Sequence, residues 1–230
     1  MGNTVGSFNE LHSLVTNSEN AYILGLWCAD GHHRTSSIGL TNVDRRLAGR
    51  FVAYLETTFP KQRIKWQIYY PLGKKPRGWN VPMSPLAKAT KIVYRPYVNS
   101  RPLLRLFQKA EQQVIALPKK YILAYFAGRY DGDGSIDKDL RSDLRIAYSN
   151  KAEAEVDQTL LMKLKRYKTR VYHYQSARTY VLYVSRYDAN QFLHDIAPYS
   201  VLVDSLLPRR DSSSSSFEIK ELVDLPIILN

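Results

Sequence analysis

The sequence predicts a mixed α+β fold made of two similar halves. Segments 23–31 and 126–134 are both runs of helix-compatible residues that end in an Asp followed by a Gly. Their acids, Asp30 and Asp133, lie 103 positions apart in a chain of 230 residues. After each segment, predicted strands and helices follow in the same order. We therefore expect a pseudo-two-fold pair of αββαββα repeats.

The chain divides into four parts on this basis. A polar N-terminal extension comes first, and the two halves follow. Five consecutive serines then predict a flexible loop ahead of a C-terminal tail. The corresponding ranges are 1–17, 18–113, 114–210 and 211–230.

The first helix of each half carries its acid where helix electrostatics disfavours one. A carboxylate in the last turn opposes the helix dipole at a cost of about 0.3–1 kcal/mol. Gly31 and Gly134 are expected to end these helices, since Gly tolerates a left-handed backbone there. Small residues recur on both helices and let two backbones approach closely. They are Gly25, Ala29, Ala124, Ala127 and Gly128. Side-by-side packing would bring the two acids together, where a bound cation would relieve their repulsion.

Hydrophobic spacing predicts the later elements of each half. Strands are expected at 38–42, 63–70 and 91–98, and again at 146–150, 169–175 and 179–186. After the first strand of each half, apolar residues four positions apart give a helix one buried face. They are Leu47, Phe51, Leu55, Val156, Leu160 and Leu164. Further helices are predicted near 101–113 and 188–196, and Pro118 suits the opening of the second acid-bearing helix.

Strand 63–70 alternates polar and apolar side chains. Successive side chains of a strand point to opposite faces, so one face of this strand is apolar and the other is basic and hydrogen-bonding. Polar residues that share a face are Arg63, Lys65, Gln67 and Tyr69 in this strand, Lys91 and Arg95 in the next, and Arg170, Tyr172 and Tyr174 in the second half.

The charge of the chain indicates a polyanionic partner. Its net charge is +12, and segment 61–110 holds twelve basic residues and no acidic one. Chance or attraction to an acidic membrane surface are the alternative explanations of this charge. The small residues of the acid-bearing segments do not indicate a membrane helix pair, because neither segment has the ~20 apolar residues that span a bilayer. Double-stranded DNA fits the strands, because side chains two positions apart are separated by about 6.7 Å. Two base pairs rise by about 6.8 Å, and the major groove admits a two-stranded ribbon.

The cysteine content bears on the compartment. Cys28 is the one cysteine, which excludes an internal disulfide and suits a reducing, intracellular environment. No N-terminal stretch has the apolar region of a signal peptide.

The paired segments resemble the motif of the LAGLIDADG homing endonucleases, in the monomeric form that carries two motifs. The eighth of the nine motif positions is the catalytic acid, and Asp30 and Asp133 fall there. The first copy departs from the family at Trp27 and Cys28, and the second departs at Arg129 and Tyr130. The resemblance extends over residues 18 to 210 and implies a β-saddle that binds DNA, with the two motif helices at its centre.

The resemblance implies a site-specific endonuclease that breaks both strands of a long, asymmetric DNA target, for homing of an intron or intein. Asp30 and Asp133 would hold Mg²⁺, or Mn²⁺, and cleavage across the minor groove would leave 3′ overhangs. Lys119 or its neighbour Lys120 matches the family's helper lysine in the first half, and Arg209 or Arg210 takes that place in the second. Asn42 and Asn150 match a polar position that orders water, although helix capping explains them equally well. We expect a monomer.

Candidate DNA-binding residues lie on the polar strand faces, in the basic segment between strands, and after the first motif. They are His33, Arg34, Arg63, Lys65, Gln67, Tyr69, Lys74, Lys75, Arg77, Lys91, Arg95, Arg170, Tyr172 and Tyr174.

The residues argue against several other functions. A calcium loop around Gly134 would place Arg129 and Leu140 at positions that require acids, which excludes it. Five histidines and one cysteine without ligand spacing argue against zinc. An RNA-binding intron maturase, with host intron RNA as its partner, and a non-catalytic DNA-binding protein of the same fold are the alternatives that stay open. The intact acid pair favours the nuclease over both.

Overall fold

The structure is a computed structural model that describes residues 9–32, 36–136 and 143–203. The first half contains α1 (Asn9–Leu14), α2 (Ser18–Asp30), β1 (Ile38–Gly39), α3 (Arg45–Glu56), β2 (Lys65–Tyr70), β3 (Met83–Pro85), β4 (Val93–Val98) and α4 (Arg101–Gln112). The second half contains α5 (Ile122–Asp133), β5 (Gly134–Ser135), β6 (Leu144–Tyr148), α6 (Lys151–Lys163), β7 (Thr169–Tyr174), β8 (Thr179–Val184) and α7 (Arg186–Ile196).

The strands form one four-stranded sheet in each half. The first sheet has the order β1-β4-β2-β3 and the second has the order β5-β6-β8-β7. All neighbouring strands are antiparallel except β2 and β3, which are parallel. The predicted α+β fold with repeated helix–strand units is confirmed. Strand β3 is an addition of the first half, where the β2–β4 connection is longer than the β7–β8 turn.

Helices α2 and α5 lie side by side and parallel at the centre of the molecule. A Cβ added to Gly25 would lie 2.0 Å from the carbonyl oxygen of Tyr125. A Cβ added to Gly128 would lie 2.0 Å from that of Tyr22. These two contacts are related by the same 103-residue offset as the acids, so the helix pair has pseudo-two-fold symmetry. Only glycine at both positions allows this approach, as the small residues predicted.

The core surrounds this helix pair. Most side chains of α2 and α5 are buried, on all sides of each helix, which explains why neither helix shows an amphipathic pattern. Helix α3 buries Leu47, Phe51 and Leu55 as predicted. Asn17, Asp44 and Ser100 accept hydrogen bonds at the N-termini of α2, α3 and α4, and Ser185 does so at α7.

The two glycines that end the motif helices are needed because they lack a side chain, and not because they adopt a left-handed backbone. Gly31 and Gly134 have extended backbones, with φ of −73° and −82°, so the predicted left-handed ends are wrong. A Cβ on Gly31 would lie 2.6 Å from the Trp27 ring, and one on Gly134 would lie 2.2 Å from the Tyr130 ring. After each motif helix, the backbone therefore passes close to an aromatic ring of that helix.

Part of the N-terminal extension belongs to the core. Helix α1 buries Leu11 and Leu14, and the Leu11 amide donates to Gln113 Oε1 at 3.1 Å. Lys109 Nζ donates to Glu10 Oε1 at 2.7 Å, which adds a surface ion pair between α1 and α4. Across the described residues, none of the helices combines the length and the apolar character that crossing a bilayer requires.

Candidate active site and nucleic-acid interface

The two motif acids meet at one end of the central helix pair. Asp30 is the last residue of α2, and Asp133 is the last residue of α5. A Cβ on Gly132, beside Asp133, would lie 3.1 Å from Asp30 Oδ2 and 2.4 Å from the Ala29 Cβ. The parallel packing of these helices therefore brings the carboxylates together, as their positions in the sequence predicted.

Burial disfavours the charged forms of both acids, and the negative charge of Asp30 further disfavours that of Asp133. Burial raises the pKa of Asp30, while a hydrogen bond from Asn42 and the charge of Arg129 act in the opposite direction. Burial, together with the negative charge of Asp30, raises the pKa of Asp133 to about 7. A divalent cation between the two would stabilise both as carboxylates.

The two asparagines occupy different environments. Asn42 Nδ2 donates to Asp30 Oδ2 at 2.7 Å, and its Oδ1 accepts from the Asp44 amide at 2.6 Å. Reciprocal backbone hydrogen bonds with Tyr94 fix Asn42 beside β4. Asn150 is exposed and accepts from the Ala152 amide at 2.8 Å, which makes it the N-cap of α6. The structure thus places Asn42 at the acid pair and gives Asn150 the capping role.

The open face of the first sheet carries the predicted polar stripe. Lys65 lies opposite Tyr97, and Gln67 lies opposite Arg95, so these side chains share one face. Tyr69 follows on the same face, whereas Ile68 is fully buried on the other. Arg63 belongs to a 3-10 turn just ahead of β2, and Lys91 precedes β4. Lys74, Lys75 and Arg77 are exposed in the connection between β2 and β3.

The open face of the second sheet carries tyrosine and arginine. Arg170 and Arg145 each lie opposite Tyr183 on neighbouring strands. Tyr172 and Tyr174 share this face, and each is 46% exposed. The Tyr172 and Tyr183 rings contact edge to face with centroids 5.1 Å apart. The two halves therefore present chemically different surfaces.

Both halves of the chain match one known family. The sequence profile described as a LAGLIDADG-like domain matches residues 17–109 and 120–197, which is one match in each half. The chain belongs to the family of LAGLIDADG-like domains.

Solved structures of LAGLIDADG proteins share the fold. The homing endonuclease I-DmoI in complex with DNA and Mn is 22% identical, with a TM-score of 0.55 over 78% of this chain and 96% of that chain. I-DmoI in complex with DNA and Ca is 21% identical, with a TM-score of 0.56 over 82% and 96%. Full-length DUF199/WhiA from Thermatoga maritima is 13% identical, with a TM-score of 0.54 over 87% and 64%. No curated protein matches the sequence.

The LAGLIDADG resemblance placed Lys119 or Lys120 at the site, and this assignment is wrong. Lys119 and Lys120 lie in a 3-10 turn ahead of α5, whereas Asp133 ends that helix. The helix rises by 1.5 Å per residue, so about 20 Å separates the Lys119 backbone from Asp133. Neither lysine side chain can reach across that distance to the acids. Three other predicted site residues, His33, Arg34 and Arg209, lie outside the described residues.

A buried arginine that the motif comparison left without a role lies beside the acid pair. Arg129 is 2% exposed, and its Nε donates to Asp157 Oδ2 at 3.1 Å. Its guanidinium also lies over the Tyr148 ring at 4.3 Å. The positive charge of Arg129 lowers the pKa of both Asp30 and Asp133. The signal in the sequence was an arginine at an apolar motif position, which needs a buried partner.

Asp131, at the sixth motif position, has a structural role. It accepts a hydrogen bond from the Tyr22 hydroxyl at 2.7 Å and from the Val201 amide at 2.7 Å. The Ser200 hydroxyl donates to the other oxygen of the same carboxylate. Asp131 therefore joins both motif helices to the segment that follows α7, and it is fully engaged away from the acid pair.

The side chains at the acid pair fit a divalent cation that prefers oxygen. Among the described residues, no group of three or more His, Cys, Asp or Glu side chains could hold a metal ion. Zinc sites need three or four protein ligands. Mg²⁺ needs only one or two carboxylates, because water and substrate phosphates complete its coordination shell. Two adjacent carboxylates whose pKa values are raised by burial are consistent with such an ion.

Proposed function

We propose that the protein is a site-specific DNA endonuclease that makes a double-strand break in a long, asymmetric target and promotes homing of an intron or intein. The observation that carries this proposal is the meeting of Asp30 and Asp133 at one end of two parallel helices. Carboxylates placed together at a cost in electrostatic energy indicate a site that binds cations. One acid from each half matches one cut in each DNA strand.

Asp30 and Asp133 would hold Mg²⁺ or Mn²⁺. When bound, such an ion polarises the scissile phosphate, lowers the pKa of a water and stabilises the leaving 3′ oxygen. Asn42 orients the Asp30 carboxylate, and its hydrogen bond favours the ionised form against the effect of burial on the pKa of Asp30. Arg129 adds positive charge next to both acids without contacting the substrate, since it is buried.

The open sheet faces would lie in the major groove of double-stranded DNA. The first sheet places Lys65, Gln67 and Arg95 on one face, where hydrogen-bonding groups meet base edges. The exposed Lys74, Lys75 and Arg77 would contact phosphates. Because the second sheet presents tyrosine and arginine instead, the two half-sites should differ in sequence, and the target should be asymmetric.

The decisive experiment removes one carboxylate at a time. Asp30→Asn and Asp133→Asn should each reduce double-strand cutting of a selected duplex in Mg²⁺ by at least about a hundredfold, while DNA binding persists. Glu155→Gln, a charge removal on the exposed side of α6, is the matched control and should cut like the parent. Parental cutting by either Asp variant would disprove the role of that acid.

A non-catalytic DNA-binding protein of the same fold is the second candidate. Its DNA contacts would come from the same open sheet faces, Lys65, Gln67 and Arg95 among them, and would not need the acid pair. Specific binding of duplex DNA without cutting in Mg²⁺ or Mn²⁺ would favour this candidate. Tighter binding to structured intron RNA than to duplex DNA would favour the maturase.

A further inference from the structure

Arg95 on the open face of the first sheet is held in place by neighbours from other elements. Its Nε donates to His32 Nε2 at 2.8 Å, and its Nη1 donates to the Tyr69 hydroxyl at 3.2 Å. Thr41 Oγ1 lies 3.1 Å from the same His32 nitrogen. These groups come from β4, β2 and the two segments that flank the β1 strand.

His32 is itself fixed by the backbone around it. Its amide donates to the Gly39 carbonyl at 3.1 Å. A Cβ on Gly39 would lie 2.6 Å from His32 Cδ2, so the imidazole packs directly against the β1 backbone. Because the guanidinium is always protonated, His32 Nε2 must accept the hydrogen bond from Arg95. The imidazole is thus a rigid acceptor that sets the direction of Arg95.

The partners of Arg95 leave its charge uncompensated. These partners are an imidazole nitrogen and a hydroxyl oxygen, and among the described residues Arg95 makes no ion pair with a carboxylate. Its Nη2 makes no hydrogen bond to a described residue. An arginine that is ordered before binding loses little conformational entropy when a ligand arrives. The two Nη groups of the guanidinium form a fork of N–H donors, and its unused donors can bind a ligand that offers two acceptor atoms side by side.

We propose that Arg95 recognises a guanine base in the major groove close to the cleaved phosphates, and that His32 and Tyr69 are positioning residues for it. This proposal rests on the proposed DNA-binding function. Guanine presents O6 and N7 together at its major-groove edge, and arginine pairs with both. A phosphate is the other acceptor that arginine commonly binds through two hydrogen bonds.

The position of Arg95 in the sheet favours a base over a phosphate. Strand β4 is an interior strand, with β1 on one side and β2 on the other, so Arg95 lies in the middle of the open face. The middle of a sheet in the major groove meets base edges, whereas its margins meet the sugar–phosphate backbone. The Asp30 carbonyl accepts from the Thr41 amide at 3.0 Å, which links the Arg95 cluster to the acid pair. The recognised guanine should therefore lie near the cut.

The test is a binding selection from a randomised duplex library, with the full chain in Ca²⁺. The wild-type protein should enrich guanine at one position that Arg95→Lys no longer enriches, since lysine keeps the charge but loses the fork. At that position, 7-deazaguanine should weaken wild-type binding by roughly five- to a hundredfold, because it lacks N7. Arg166→Lys, a surface arginine paired with Asp195, is the matched control and should enrich the same guanine.

A second pair of variants tests the positioning role. Tyr69→Phe keeps the ring and should reduce the preference for guanine over the other bases, with little change in binding to duplexes that lack it. His32→Ala should reduce that preference further, with folding checked by its melting temperature. A positioning role predicts this selective loss, which a general defect in folding or binding would not produce.

Several results would overturn the proposal. Absence of an enriched guanine that depends on Arg95 would contradict it directly. A loss of binding in Arg95→Ala that is equal on all sequences, and that is largely absent in Arg95→Lys, would assign the residue to a phosphate. Guanine-dependent binding without cutting in Mg²⁺ would support the Arg95 proposal and refute the nuclease, whereas no binding to duplex DNA would refute both.

Discussion

At the scale of single residues, the two motif acids are chemically unequal. Asp30 accepts a hydrogen bond from Asn42, which favours its charged form, whereas burial and Asp30 together raise the pKa of Asp133 to about 7. Asp133 is therefore the acid that changes its protonation state near neutral pH. Metal binding and cutting should increase as pH rises through about 7, since only the ionised form of Asp133 binds a cation.

Because the pKa of Asp133 is raised, the stability of the folded protein should depend on pH. Between its ordinary value of 3.8 and about 7, the folded protein binds a proton that the unfolded chain has lost. Stability from this group therefore decreases as pH rises through that window. Asp133→Asn should increase the free energy of unfolding by roughly 1–3 kcal/mol more at pH 8 than at pH 4. Urea denaturation in EDTA at both values measures the difference, and equal effects at both would contradict it.

The two asparagines provide a matched pair of variants. Asn42→Ala removes the hydrogen bond to Asp30 and should lower the cutting rate at least about tenfold, with binding retained. Asn150→Ala removes the N-cap of α6 and should cost about 1 kcal/mol of stability while leaving the cutting rate unchanged. Single-turnover cleavage and thermal melting distinguish the two effects. Similar kinetics for both variants would mean that Asn42 has no special role at the acid pair.

The sequence identified the acids but only part of their surroundings. The positions of Asp30 and Asp133 follow from a local pattern repeated in both halves, so they were predictable. The contact between Arg129 and Asp157 joins residues 28 positions apart through the packing of α5 on α6, which no local pattern encodes. Lys119 was assigned by its match to the family's lysine position, although a full helix separates it from Asp133.

At the scale of elements, the close approach of α2 and α5 fixes the separation of the acids. Gly25 faces the Tyr125 carbonyl and Gly128 faces that of Tyr22, in each case without room for a methyl group. The obstructing atoms belong to the backbone, which cannot rotate away as a side chain can. The helices must move apart to accept any larger residue, and the carboxylates at their ends would move with them.

Gly128→Ala should therefore destabilise the protein and impair cutting. An overpacked core costs about 1–3 kcal/mol, and the backbone contact here places the variant at the upper end or beyond. Gly49→Ala is a control with the same chemical change, because nothing lies within 4 Å of a Cβ at that position in α3. It should stabilise the protein by about 0.5–1 kcal/mol, as is usual within a helix. Equal melting temperatures for these two variants would disprove the packing argument.

Elements with a clear hydrophobic period were predicted, and those without one were not. Strands β2, β4, β7 and β8 lie within the predicted ranges, because β2 alternates polar and apolar side chains and β8 is rich in aromatic and β-branched residues. Strand β3 has only three residues, Met83–Pro85, and its parallel pairing with β2 depends on how the long connection folds back. Helix α1 was taken for a polar extension because its burial depends on contacts with α4, distant in sequence.

At the scale of the whole molecule, the charge distribution favours contact between the first half and DNA, under the proposed function. The net charge is +12, and Lys74, Lys75 and Arg77 are exposed in a connection that has no counterpart of similar length in the second half. The extra strand β3 lies at the edge of the first sheet. The first half should therefore contact phosphates farther from the cut than the second half does.

This arrangement predicts how salt weakens DNA binding. About eight phosphate contacts would give a slope near −7 for log K against log[salt] on duplex DNA, since each contact releases condensed counterions. Replacing Lys74, Lys75 and Arg77 together by Ala should make the slope less steep by about 2 to 3. Replacing Lys151, Arg166 and Lys168 removes the same three charges from the region around α6 and should leave the slope near its parental value. Fluorescence anisotropy between about 50 and 300 mM salt measures both. If the two triple variants change the slope equally, net charge alone attracts the DNA, and the β2–β3 connection does not contact phosphates.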